Sequence, residues 1–484
     1  MFRKISTNRL TKVFTVPLLA LFVASCATDT KKDSKENGSS PMDTAWKQAE
    51  NIINTVKAPT FKDKVYNITD FGGVADGTTK NTEAFKKAIE TCHTEGGGTV
   101  LVPEGTYLTG AIHLKSNVNL HLNKGAEVLF SKDTLDYLPM VHTSYEGVEL
   151  MNYSPLIYAK GAKNIGVTGE GTFNGQADNT NWWPWCGAGH YGYAEGTPAQ
   201  RAPHNLPRLR TMNENNTPVE ERTFGPGHQL RPLFFQVLEC ENVIVQGVTF
   251  TNAPFWVIHP LKSQNILVDG VTVNSHGPNN DGCDPEYCKN VVIQNCTFNT
   301  GDDCIAIKSG RNNDGRRVNI PSENIVVQNC TMADGHGGVV MGSEISAGVR
   351  NVYVRDCKMD SPNLDRAIRI KTNTLRGGFV EGVYVKDLEV GQVKEAVLKI
   401  NTFYGIYENQ EGEFMPTIKD IYLQNVAVKN GGKYGILIKG RPQAPAKNIT
   451  LENVTIEKAQ NVTSIENAEN ITYINTHINQ QLMK

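Results

Sequence analysis

The chain has no cysteine framework. Of its ten cysteines, Cys26 sits in the N-terminal segment, and the nine that remain are an odd number. Cys283 and Cys288 are the one close pair near the chemistry-bearing residues, and no second pair answers them, so the spacing of a zinc site is missing. Charge is nearly balanced: 48 Lys and Arg stand against 50 Asp and Glu, a net −2. That excludes a global basic field for nucleic acid, and any grip on an acidic partner must come from a local cluster. No stretch is long and apolar enough to span a bilayer. No helical period separates the chain's repeating phrases, which excludes leucine-rich and βαβ arrays.

The N-terminus has the form of an export signal. Arg3, Lys4, Arg9 and Lys12 precede an apolar stretch, Val13 to Ala24, which ends in Val23-Ala24-Ser25-Cys26. This resembles a bacterial lipobox, with Cys26 as the acylated first residue of the mature protein. Residues 1–25 are then the lipoprotein signal. Residues 26–60 form a tether and short lead-in, polar and Gly/Ser-bearing at first. The expected location is the bacterial cell envelope, with a lipid anchor in the membrane.

A ten-residue phrase recurs through the second half. It holds a polar residue, usually Asn, three β-formers, a turn pair and a further short β-run. ENVIVQGVTF begins at Glu241, QNILVDGVTV at Gln264, KNVVIQNCTF at Lys289 and ENIVVQNCTM at Glu323. It returns at Arg350, Glu381, Lys419, Lys447 and Glu469, at offsets of 22 to 38 residues. Self-similarity at this period means stacked units. The alternating apolar positions and Gly, Asn and Asp breaks make each unit a pair of short strands. The fold expected is all-β: a right-handed parallel β-helix over residues 61–484. Variable offsets mean loops of variable length at fixed corners. Cys296, Cys330 and Cys357 share one slot of the phrase and should stack as small buried hydrophobes.

Before the repeats, Asn81 to Thr94 spaces Ala84, Phe85, Ala88, Ile89 and Cys92 at helical intervals. A short N-terminal helix capping the open end of the solenoid is expected. Residues 176–231 interrupt the pattern with a long aperiodic insertion holding Trp182, Trp183 and Trp185. Loops of this length are usually functional. It could wall one end of a substrate cleft, but each Trp individually is more easily read as pinning the loop to the solenoid.

The chemistry concentrates between Asn279 and Gly310. Asp281 lies 21 residues before Asp302, about one coil, and Asp303 follows directly. Equivalent positions on neighbouring coils are about 4.8 Å apart, so the three carboxylates should share one wall. His336 falls one coil later, and Arg369 and Lys371 one further, at i and i+2 of one strand and so on one side of it. Strand parity with Ile305 would drive Asp303 inward, which a charge does not tolerate. A bend at Gly301 that turns Asp302 and Asp303 outward is expected instead. Asp281 and Asp284 also suit turns, as do Asn279 and Asn280. A wall of carboxylates facing a cationic pair suits acid–base hydrolysis of a glycosidic bond.

The set NNDG, TGDDCIAIKSG, GHGG and RIK resembles glycoside hydrolase family 28, the polygalacturonases and rhamnogalacturonases of the pectin lyase-like β-helix superfamily. The resemblance runs from about Val65 to the C-terminus. The first motif, usually Asn-Thr-Asp, reads Asn279-Asn280-Asp281 here. GPNNDG and GHGGVVMGSE are similar to exo-acting bacterial members. The resemblance implies inversion, with acid and base roughly 6.5–9.5 Å apart. It makes Asp302 the general acid, and gives Asp281 and Asp303 the activation of water. His336 would tune a carboxylate, and Arg369 and Lys371 would hold a galacturonate carboxylate. Asn280 joins the substrate-binding set. Tyr404 matches a substrate-binding tyrosine of the family by spacing, with Tyr407 the other candidate.

The expected partner is therefore an acidic pectic glycan, cut by a monomer that needs no metal or other cofactor. Rhamnogalacturonan and xylogalacturonan remain alternatives to homogalacturonan. A calcium-dependent lyase on the same fold would want a cage of Asp/Glu and an Arg base, where this chain offers Asp-Asp with His. A glycan-binding β-helix without turnover is the third reading.

Overall fold

The second position of each phrase explains how the coil turns. Asn164, Asn242, Asn265, Asn290, Asn324 and Asn351 all sit in the left-handed region, with φ from 55° to 59°. Asn tolerates that region better than most side chains. Each amide donates to the side-chain oxygen of the Asn one coil earlier, at 3.1–3.2 Å from Asn242 to Asn351. The same residue thus makes the corner and ties it to its neighbour.

This structure is a computed structural model that describes residues 40–405 and 411–484. Cys26, the signal and most of the tether lie outside the described residues. The phrase starts are register partners: Glu241 pairs with Gln264, then Lys289, Glu323, Arg350, Glu381, Lys419, Lys447 and Glu469 in turn. The strands stack in parallel into a 24-stranded sheet. The wall that bears the site comprises a four-stranded and a six-stranded sheet. Parallel coils of this kind make a parallel β-helix, right-handed as such crossovers are. Inward residues such as Val291, Ile293, Phe298, Ile305 and Ile307 form one continuous core. Cys296, Cys330 and Cys357 stack within it as free thiols.

Helix α2, Thr82–Thr94, closes the N-terminal end. Phe85, Ala88, Ile89 and Cys92 are buried against the first coils. The lead-in, by contrast, is not irregular. Pro41–Thr55 forms helix α1 and buries Met42, Ala45, Trp46, Ala49 and Ile52. Those residues recur at three and four positions, a helical period that starts where the polar tether ends. They cover an outward apolar stripe of Val292, Val326 and Tyr353 on consecutive coils.

The insertion of residues 176–231 packs on the solenoid through its own apolar cluster. Leu206 and Leu209 of helix α3 (Leu206–Glu214) meet Phe224, Leu230, Tyr145, Phe255 and Trp256. Trp182 is buried, edge-on to Tyr137 and Trp185. Trp183 Nε1 donates to Ala253 O at 2.9 Å. None of these three tryptophans lines the cavity described below. They pin the insertion to the solenoid.

Candidate active site

The strand Thr297–Thr300 stops at Gly301, and the next, Ile305–Ile307, belongs to the other wall. Residues 301–304 are a bend that breaks strand alternation, as the parity conflict requires. Gly301 has no room for a side chain: a Cβ would lie 2.5 Å from Gly277 O. The bend is fastened by Gly301 N donating to Ser275 O and His336 N donating to Asp302 O. The coil below has no full strand here. It bridges only at Cys283 and Glu286, which match Ile305 and Lys308. Asp281 therefore sits below Asp303, and Asp302 faces it from one residue earlier.

One oxygen from each of Asp281, Asp302 and Asp303 lies within 4.8 Å of the others. Three carboxylates so close cannot all stay charged without help. Each receives a different amount. Asp303 has no exposed surface, and both of its oxygens are occupied: Arg369 Nη1 at 3.3 Å and Lys371 Nζ at 2.6 Å. The cations reach it across the coil of His336, where Gly337 leaves space. A Cβ there would lie 3.2 Å from Asp303 Oδ1. The bend thus turns Asp303 toward the groove wall, but under the cation pair.

Asp302 is half-buried and lines the cavity. His336 Nδ1 donates to its Oδ1 at 2.9 Å, and so does the Asp303 backbone N–H. Oδ2 has no partner among the described residues. Burial pushes this carboxyl up, but the His336 hydrogen bond and charge prevail and hold it well below the ordinary range. The same bond lifts His336 to about 9. Asp281 is pushed up to about 7 by burial and by the charge of Asp302, against the pull of Lys308. Of these two carboxyls, Asp281 is therefore the one that holds a proton more readily in the free protein.

Tyr404 lies beyond the cation pair, its ring 5.3 Å from the Arg369 guanidinium and 5.1 Å from Lys371 Nζ. Tyr407 lies outside the described residues. The structure brings Asp281, Asp302, Asp303, His336, Arg369, Lys371 and Tyr404 together. Asn280 does not belong with them. Its side chain is fully buried, accepting from Ser275 Oγ at 2.6 Å and Gly277 N at 2.8 Å and donating to Ala253 O and Phe255 O. It holds the loop, and Asn279 is the neighbour that lines the cavity.

The cavity encloses about 960 Å³, enough for more than one sugar ring. Ala188, His190, Tyr191, Gln200, Arg201 and Arg210 of the insertion line it. The insertion therefore walls the groove, as its length suggested.

Residues 220–477 match Glycosyl hydrolases family 28, and residues 65–127 match "Rhamnogalacturonase A/epimerase, pectate lyase-like". The chain belongs to glycosyl hydrolases family 28. It is similar to the solved hyperthermoactive exopolygalacturonase from Thermotoga maritima, at 44% identity and a TM-score of 0.83, over 89% of this chain and 96% of that one. It is also 29% identical to a probable polygalacturonase of Vitis vinifera, over 81% of this chain and 74% of that protein. An exo-poly-alpha-D-galacturonosidase of Dickeya chrysanthemi is 28% identical, over 78% of this chain and 65% of its own length.

Several further residues of the site carry weaker signals in the sequence, or none. Lys308 stood inside TGDDCIAIKSG, and strand parity after inward Ile307 would have turned it to the groove. Trp256 and Glu344 also line the cavity. Arg231 had no signal, because its partners are distant in sequence. It is 1% exposed and donates to Pro254 O, Pro278 O, Gln200 Oε1 and Asn279 Oδ1, at 2.6–3.1 Å. Its guanidinium also lies over Phe255. It fastens the insertion to the loop that presents Asp281. Arg231→Ala should cost about 3 kcal/mol or more, because several charge-assisted bonds are lost together. Turnover should fall with it. Denaturant unfolding and kcat measured side by side check this; wild-type values of both would remove Arg231 from this role.

Proposed function

We propose that this hydrolase acts on α-linked galacturonan, the polymer of pectin, and trims it from one end. One observation supports the chemistry above all: three carboxylates within 4.8 Å meet a buried cation pair, and Asp281, Asp302, Arg369 and Lys371 of this cluster line one open cavity. Exo action is supported by the insertion that walls this cavity and by the exopolygalacturonase to which the chain is 44% identical. Arg369 and Lys371 hold a galacturonate carboxylate, Arg369 as a fork and Lys371 as a point charge. Tyr404 packs against both.

In the reactive tautomer the shared proton lies on Asp302. Its unpartnered Oδ2 gives that proton to the glycosidic oxygen as the C1–O bond breaks. Asp281 accepts a proton from water, whose oxygen bonds to C1. The dyad ends with one proton, as it began. His336 holds Asp302 in place through Oδ1. Asp303 anchors the cations.

Inversion, which family membership implies, belongs to this proposal. The carboxylate oxygens are closer than the 6.5–9.5 Å usual for inverting pairs, and nearer the spacing that suits a covalent nucleophile. Proton NMR of the first-formed anomer on defined oligogalacturonides decides between them: the inverted anomer is expected. Asp302→Asn and Asp281→Asn should each remove more than about 99% of turnover, the scale of a lost general acid or base. Wild-type-like turnover in either variant would sink the hydrolytic roles.

Export and anchoring are proposed from the sequence alone. Cys26 would bear the lipid and hold the enzyme at the cell envelope. Palmitate labelling in a bacterial host should mark the wild-type chain and miss Cys26→Ser; equal labelling of both would refute the anchor.

A further inference from the structure

Lys308 is a buried lysine with four oxygens around it. Its side chain is 3% exposed. Nζ lies 3.4 Å from Asp281 Oδ2, 3.6 Å from Asp284 Oδ1, 3.4 Å from Glu344 Oε2 and 3.4 Å from Gly342 O. It also sits 4.5 Å from the centre of the Trp256 ring, which closes the remaining side. A buried ammonium is costly unless anions surround it. Here the first of those anions is the proposed base.

We propose that Lys308 is the positioning residue of that base: its ammonium, set against the Asp281 carboxyl, favours the arrangement in which Asp281 is charged and Asp302 carries the proton. This rests on the hydrolytic reading above. The groups facing the pair are few and can be named. Asp302 and Asp303 push negative charge at Asp281, and Lys308 and Lys371 oppose them; His336, Lys371 and Lys308 hold Asp302 charged. Asp284 is fully buried, and burial together with Asp281 keeps its carboxyl protonated. It therefore adds little charge of its own. Glu344 competes for Lys308 from the other side. Burial opposes its charge, but Lys308, Arg376 and Arg311 hold it ionised. Burial also opposes the charge on Lys308, and the carboxyl groups around it, Asp281 and Glu344 first, overcome it. When Asp302 takes the proton, the strongest repulsion on Asp281 disappears. Burial and Asp303 still oppose a charge on Asp281, and Lys308 is the cation that offsets them most.

The test is the pH profile of kcat for the full chain on polygalacturonate. The active form holds one proton on the pair, so the profile is a bell. Removing the cation raises the proton affinity of the pair as a whole. Lys308→Met should therefore move both limbs to higher pH, by about 1 to 3 units, the usual effect of an opposite charge at this range. Lys308→Arg should keep the limbs near their wild-type place. Glu344→Gln should move them the other way, because it removes an anion and frees Lys308 for Asp281. It also serves if Lys308→Met does not fold. A uniform loss of kcat with unmoved limbs in these variants, or limbs that move in the same direction in Lys308→Met and Glu344→Gln, would overturn the proposal. That failure is distinct from failure of the hydrolytic reading, which would appear as activity in Asp302→Asn.

Discussion

Like charges packed into a dry wall must be compensated or neutralised, and that constraint organises the site. Asp281, Asp302 and Asp303 meet within 4.8 Å. Asp303 is fully compensated by Arg369 and Lys371, Asp302 by His336, and Asp281 only in part by Lys308. The gradient of compensation separates three identical side chains into three conditions. Asp303 is locked, Asp302 is held charged, and Asp281 takes the proton in the free protein. The roles proposed above need the opposite order, with the proton on Asp302 and the charge on Asp281, so the proton must change places before the bond is cut.

The solenoid makes this arrangement cheap to build. Each coil contributes one or two groups, and register brings them together without any long-range folding of loops. The cations that reach Asp303 come from two coils away, past Gly337 on the coil between. Neighbouring coils fix the site from below as well. Asn280 and Arg231 direct their polar atoms to backbone and loop, not to ligand, and thereby hold the loop that carries Asp281. The supports of the site are buried and hydrogen-bonded, which is what preorganised electrostatics requires.

The architecture was legible in the sequence because its determinants are local. An Asn that tolerates a left-handed corner and bonds to its equivalent marks most coils, with Gly382 and Asp420 in its place on two, so the phrase starts became the register itself. The bend at Gly301 was legible for a similar reason: charge and strand parity could not both be obeyed. Non-local burial was not legible. Asn279 and Asn280 look alike in sequence, and only the packing of Ala253, Phe255 and Ser275 decides which one is enclosed. Asp303 follows Asp302 directly, yet the cations that cover it come more than sixty residues later. Lys308 was visible but unassigned, because its meaning depends on Asp281 and Glu344 converging on it. The helix of Pro41–Thr55 was hidden behind the polar segment before it, though its apolar period is clear once read alone.

The insertion converts an open trough into a walled one, and this is the point at which geometry becomes specificity. Its tryptophans hold it down, its own apolar cluster stiffens it, and Tyr191, Gln200 and Arg201 face the cavity. The central claim is that a pectic chain enters this groove by one end and is cut there by the Asp281–Asp302 pair. A time course on an oligogalacturonide labelled at its reducing end tests it most directly. A walled groove predicts one labelled species that shortens in constant steps while small unlabelled products accumulate. Labelled fragments of scattered length in the earliest samples, cut from the middle of the chain, would contradict it.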